Sequence, residues 1–154
     1  MSIKEQLKKD LTEAIRSRDE ITSGTIRMVL TAITNEEVAG KEARVLSDDE
    51  VITVLSREGK KRREAAEAFE NAGRADKAAL EKSEGEVIVK YLPAQLSEAD
   101  IAAIIAEAIA STGAAGPSDM GKVMGAVKPK IAGKADGGLV SALVKAALLN
   151  GETK

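Results

Sequence analysis

The sequence predicts an all-α protein in two helical subdomains: an N-terminal bundle of long helices over 1–95 and a C-terminal tail domain of short helices over 96–154. Apolar residues recur at helical spacing along most of the chain. Helix-start signatures and glycine stops separate these runs. The composition also shifts between Pro93 and Ser97, from charge-rich segments upstream to segments rich in Ala, Gly and Lys downstream.

Ser2-Ile3-Lys4-Glu5 has the spacing of a capping box, and Ile3, Leu7, Leu11, Ala14 and Ile15 follow on one helical face. A second helix is expected over 21–38, with Ile26, Val29, Leu30 and Ile33 as its apolar stripe, and a loop from Gly40 to Val45. Ser47-Asp48-Asp49-Glu50 is another capping box, opening a long helix to Asn71. Gly73 is placed as its stop and Asp76 as the cap of the next start. Over 75–92, Val87-Ile88-Val89 has the β-branched look of a strand. No partner strand is apparent elsewhere in the sequence, and Leu80, Val87, Ile88, Tyr91 and Leu92 keep helical spacing, so a helix stopped at Leu92-Pro93 is expected. Ser97-Glu98-Ala99-Asp100 starts an Ala/Ile-rich helix to Ser111, and 113–117 is a loop. Short helices are expected over 119–128 and 137–149, separated by Lys128-Pro129 and Gly133. Ala72-Gly73-Arg74-Ala75-Asp76 resembles Ala132-Gly133-Lys134-Ala135-Asp136, read as two uses of a glycine stop and an aspartate cap.

The chain is 44% hydrophobic and 31% charged, yet Phe69 and Tyr91 are its only aromatic residues, and it has no Cys, His or Trp. Those absences exclude disulfides, thiolate chemistry, imidazole general bases and the Ser-His-Asp triad. Carboxylates, lysines, hydroxyls and backbone dipoles remain. Most of the carboxylates in Asp19/Glu20, Glu36/Glu37 and Asp48/Asp49/Glu50 are expected at helix starts or on solvated faces, where negative charge needs no catalytic explanation. No metal-ligand spacing is present, so neither a metal nor another cofactor is expected. Neither an apolar signal core at the N-terminus nor an apolar run of membrane-spanning length is found, so no membrane association is expected and cytoplasm is the default compartment.

The net charge is -2, but it is unevenly spread. Residues 1–92 carry 17 Lys/Arg against 19 Asp/Glu, whereas 118–150 carry five lysines against Asp119 and Asp136. A basic end on an acidic protein suits phosphate contact or, more plainly, a solvated surface. Gly116 to Lys122 matches a phosphate-binding loop, but Val123 stands where Ser or Thr should hold magnesium, and a helix rather than a strand precedes it. The match is a decoy. Met120, Val123, Met124 and Val127 instead make a core stripe, with Ser118 or Asp119 as cap. Gly121 and Gly125 share another face one turn apart, which asks for close backbone approach to another helix or to a ligand. In the ligand reading, a phosphate backbone lies on Gly121 and Gly125, with Lys122, Lys128, Lys130 and Lys134 as countercharge. No aromatic residue lies nearby, so base stacking is unavailable.

The run Arg57 to Glu64 looks basic but disperses around a helix, with Lys60–Glu64 and Arg63–Glu67 as expected pairs. Val51, Leu55, Glu58, Arg62, Ala65 and Phe69 share one face. Glu58 and Arg62 are therefore expected to pair where the helix packs, either as a register-fixing ion pair or as a polar site at an interhelical groove.

Asp119 to Gly125, then Gly133-Lys134-Ala135-Asp136-Gly137, Leu139-Val140 and Val144-Lys145, resemble the tail domain shared by the YqeY family and GatB, the B subunit of tRNA-dependent amidotransferases. Thr25 to Val29, Arg62-Arg63-Glu64 with Ala68-Phe69, Ala72-Gly73-Arg74 and Tyr91 to Ser97 resemble the N-terminal part of YqeY proteins. Ala65, where a hydroxyl residue is common, and Gly59 and Gly85, which interrupt helices, depart from that pattern. The resemblance implies an all-helical bacterial, cytoplasmic protein in two parts. In GatB-containing enzymes the tail grips the tRNA body, while the catalytic machinery lies in a domain absent from this sequence. The implied function is a non-catalytic tRNA-binding accessory module. Alternatives are a protein-interaction module docking on the aminoacylation, amidation or translation machinery, and a carbon–nitrogen ligase with glutamine as amido-N-donor.

Overall fold

The computed structural model describes residues 1–152, which form seven α-helices and one 3-10 turn, with no strand. Contacts divide the chain into two compact units, one ending at Leu92 and the other beginning at Pro93.

The first unit holds α1 (Ile3–Arg16), α2 (Glu20–Glu37), α3 (Asp48–Asn71) and α4 (Ala75–Val89). Both capping boxes form: Glu5 N–H donates to Ser2 Oγ at 3.1 Å, and Glu50 N–H to Ser47 Oγ at 3.3 Å. Asp19 caps α2 by accepting from Thr22 N–H at 3.0 Å. Leu7, Ile26, Val29, Ile33, Val51, Leu55 and Ile88 close one apolar core with Leu46 from the α2–α3 loop. At its edge the Tyr91 hydroxyl donates to Asp10 at 2.5 Å, tying the end of α4 to α1. Burial and that hydrogen bond raise the Tyr91 pKa. Glu37, buried at the end of α2, accepts from the Lys4 ammonium at 2.6 Å and from Leu46 N–H at 3.1 Å. These contacts hold its carboxyl below the usual range.

Within this unit two helix ends use the same left-handed turn with different residues. After α3, Gly73 adopts φ +74°, and Arg74 N–H donates to Phe69 carbonyl at 2.8 Å. After α1 the position is held by Arg18 at φ 60°, and Asp19 N–H reaches Ala14 carbonyl at 2.9 Å. These are paired Schellman closures, one with the residue that favours the conformation and one without.

Around α3 and α4 the structure departs from the sequence pattern in its cap, its helix end and its ion pairs. Asp76 does not cap α4: the helix begins at Ala75 with Arg74 at its cap, and Asp76 lies in the first turn, 3.3 Å from Arg74. The helix ends at Val89 rather than Leu92, and Tyr91 and Leu92 continue as a tighter turn, donating to Ile88 and Val89 carbonyls. Glu58 and Arg62 do not pair. Glu58 bonds Lys61 at 3.1 Å, whereas Arg62 lies 3.5 Å from Glu81 and 3.4 Å from Glu84, because α4 brings two carboxylates against it. Arg62 Nε and Glu81 Oε2 are buried without a hydrogen bond. Burial also raises the Glu84 pKa, against the lowering effect of Arg62. Arg63 makes no ion pair with Glu67 or any other described residue.

The second unit holds α5 (Glu98–Thr112), the 3-10 turn Pro117–Asp119, α6 (Met120–Ile131) and α7 (Gly137–Glu152). Ile101, Ile105 and Ala108 of α5 pack with Val123, Val127 and Ile131 of α6 and with Val140, Val144 and Leu148 of α7. Ser97 and Asp100 complete a third capping box. Asp136, just before the start of α7, accepts from Gly138 N–H at 3.3 Å, the use expected of the aspartate in this pentapeptide. The entry segment is latched to the α6–α7 turn. Gln95 Nε2 donates to the carbonyls of Pro93 at 2.8 Å and Gly133 at 2.9 Å, and Leu96 N–H donates to Lys134 carbonyl at 2.9 Å.

Candidate nucleic-acid interface

The basic end of the chain is built on α6 and the turn after it, which carry Lys122, Lys128, Lys130 and Lys134. The helix forms because Val123, Val127 and Ile131 need one buried face, and that requirement carries it through Pro129 to Ile131. The expected stop at Lys128-Pro129 is overturned. Pro129 has no N–H to give the Gly125 carbonyl four residues back, yet burial of Ile131 holds the last turn in place. The cap expected from Ser118 or Asp119 is also not made. A 3-10 turn precedes α6, and Asp119 points back to accept from Ala115 N–H at 2.9 Å. That contact and Lys122 hold its pKa below the usual range.

Gly121 and Gly125 are exposed, and a Cβ on either would meet nothing within 4 Å. The helix-packing explanation for these glycines therefore fails: no element approaches them. With about 100° between successive residues, Gly121, Lys122, Gly125 and Lys128 project away from the buried stripe. Pro129, which the sequence reading did not include, shares that face and is exposed. Its signal was present, since it lies one turn beyond Gly125 just as Gly125 lies one turn beyond Gly121. The result is a helix face with bare backbone along its middle and ammonium groups beside it.

Lys130 departs from this arrangement. It projects toward α5, where its Nζ is 3.7 Å from Glu107. Lys122 is 69% exposed and only loosely engaged, 3.7 Å from Asp119. Lys128 and Lys134 are exposed and make no ion pair with any described residue. Lys134 lies in the α6–α7 turn, its backbone fixed by Ile131 carbonyl at 2.7 Å and by Leu96 N–H. Four of the six residues singled out thus share one face, Lys134 follows in the next turn, and Lys130 looks elsewhere. Among the described residues, no group of acidic side chains is gathered to hold a metal ion, and no single helix is long and apolar enough to cross a membrane.

The chain is 33% identical to an uncharacterised protein of Schizosaccharomyces pombe over 92 residues, 59% of this chain and 72% of that protein. It is 34% identical over 86 residues to the Clavispora lusitaniae protein named altered inheritance of mitochondria protein 41, mitochondrial, and 33% identical over 86 residues to its Candida glabrata namesake. Each of those matches covers 56% of this chain, and the chain spans about half of each relative, 49% and 47%. The family model described as Yqey-like protein matches residues 4–148, nearly the whole chain, which therefore belongs to the YqeY family.

Proposed function

We propose that the C-terminal unit binds the sugar–phosphate backbone of a folded RNA, tRNA in the first instance, through the exposed face of α6. The observation that carries this reading is the pair Gly121 and Gly125, exposed on a helix with nothing packed over them and flanked by Lys122 and Lys128. A glycine lowers helix stability by about 1 kcal/mol relative to alanine, and here no packing requirement offsets it. A bare helix surface lets a phosphate backbone lie close to the main chain while lysines at the edge supply countercharge. Lys134 extends the basic surface along the chain, and Lys130 belongs to it less, because Glu107 holds it. Any part in amido transfer would be accessory, with the chemistry on a separate partner. Cytoplasm is our reading for its location, and cell fractionation tests it, since two of the relatives are named for mitochondria.

Titration with tRNA at two salt concentrations is the test. Binding should weaken steeply with salt, each phosphate contact adding about 0.9 to the logarithmic slope for a duplex. The double variant Lys122→Ala/Lys128→Ala should lower both affinity and slope, and Gly125→Leu should lower affinity at an unchanged slope. Absence of binding at low salt, or wild-type binding by both variants, rejects the reading. A protein partner retained through nuclease treatment and high salt would favour the protein-interaction alternative.

A further inference from the structure

A second pair of glycines marks a different site in the N-terminal unit. Gly59 of α3 and Gly85 of α4 line a groove of about 380 Å³ between the two helices, at the small end of the range for ligand pockets. Packing requires neither glycine. A Cβ on Gly59, which is buried, would meet Ile88 Cγ2 at 3.6 Å and Arg63 Nη1 at 3.8 Å, and one on the half-buried Gly85 would meet Arg62 Cβ at 3.8 Å, all ordinary contacts. Alanine fits at either place and would favour the helix. What the glycines leave open is the groove itself.

Its surface is mostly apolar although five of its eight lining residues are charged, and the charges without an ion pair are one on each helix. Val89, 44% exposed, and the missing side chains of the glycines give it an apolar floor. Of the other charged residues lining it, Arg62 and Glu81 engage each other at 3.5 Å, and Lys82 is paired with Glu70. Arg63 on α3 and Glu86 on α4 remain, and neither makes an ion pair with a described residue. The contacts at Gly59 and Gly85 set residue 59 opposite 88 and 62 opposite 85. In that register Arg63 and Glu86 are offset by two residues, about 3 Å along the axes. Packed helix axes lie about 8–10 Å apart, a span that two or three extended residues cover at about 3.3–3.6 Å each.

We propose that this groove binds a short apolar peptide with free termini, its carboxylate on Arg63, its ammonium on Glu86 and its side chains over Gly59, Gly85 and Val89. The site is independent of the RNA-binding reading, since no residue is shared. A zwitterion suits it better than a simple fatty acid, because a monoanion would leave Glu86 unmatched on the far edge.

The test uses the full chain, with the dipeptide Leu-Ala as probe and two-dimensional amide NMR as readout. Saturable shifts should centre on residues 59–63 and 82–89. N-acetylation or C-amidation of the probe should each weaken binding about tenfold, as expected for a lost charge-assisted contact. Arg63→Gln should become indifferent to C-amidation and Glu86→Gln to N-acetylation. Gly59→Ala and Gly85→Ala should raise the thermal midpoint by about 2–4 °C while weakening the probe severalfold, a combination that rules out misfolding as the cause. No saturable shift, equal binding of blocked and free probes, or wild-type binding by Gly85→Ala would overturn the proposal.

Discussion

Arg18 carries a cost that its neighbours do not. It closes α1 at φ 60°, in the left-handed region where a Cβ crowds the following carbonyl and where α3 uses Gly73 for the same closure. Arg18→Gly keeps both closing hydrogen bonds and removes that crowding. The substitution should stabilise the chain by about 1 kcal/mol, read as a higher urea midpoint at unchanged slope. A lower midpoint would mean that the arginine side chain contributes more than its backbone strain removes. The left-handed turn was legible at Gly73, because glycine announces it, and illegible at Arg18, because the surrounding helices impose it against preference. The same limit applied to Arg62. Its sequence neighbours suggested Glu58, while its actual partners, Glu81 and Glu84, are set by how α3 and α4 pack, which local spacing does not encode.

Among the elements, helix existence and type were readable almost throughout, because apolar spacing and the Ser-led caps agree. The second helix, expected over 21–38, forms over Glu20–Glu37, and the strand-like Val87-Ile88-Val89 is helical since Val87 and Ile88 both reach the core. Ends were less readable. α6 runs through Pro129, a position that ordinarily stops a helix, because Ile131 is 5% exposed and its burial outweighs the missing hydrogen bond. Pro129→Ala restores the donor to Gly125 carbonyl and should stabilise the chain by about 1–2 kcal/mol, less than the full 3 or so of an interior proline because this face is solvated. Chemical denaturation measures it. A destabilised variant would show that the proline is fixing the turn rather than straining it. The basic face itself was half legible: periodicity grouped Gly121 with Gly125, but only the packing of α5 against α6 reveals that Lys130 is drawn toward Glu107.

For the whole molecule, acid should be the most damaging condition. Glu5, Glu37 and Glu50 all have lowered pKa values: Glu5 and Glu50 chiefly by backbone hydrogen bonds in their capping boxes, Glu37 chiefly by Lys4. A lowered carboxyl binds fewer protons folded than unfolded. Its stabilisation is therefore complete above the unfolded value of about 4.3 and is lost as pH falls through the folded one. Glu84 runs the other way, since its raised pKa means that ionisation opposes folding as pH rises through it. The lowered groups prevail in number, so the urea midpoint should fall steeply below about pH 4.5. Glu37→Gln should reduce stability at pH 7 and flatten that fall, and an unaltered acid limb would remove Glu37 from the account.

The Gln95 latch has a practical consequence for where the chain is cut. A fragment opening at Ser97 would keep the α5 capping box, yet would strip the donors from the Gly133 and Lys134 carbonyls and remove Leu96 from the edge of the core. One opening at Pro93 keeps both donors, because Gln95 and Leu96 act at a distance of 38 residues along the sequence rather than as a tether. The stretch where the composition shifts between the two subdomains behaves as a clasp, and an excised tail domain has to carry it.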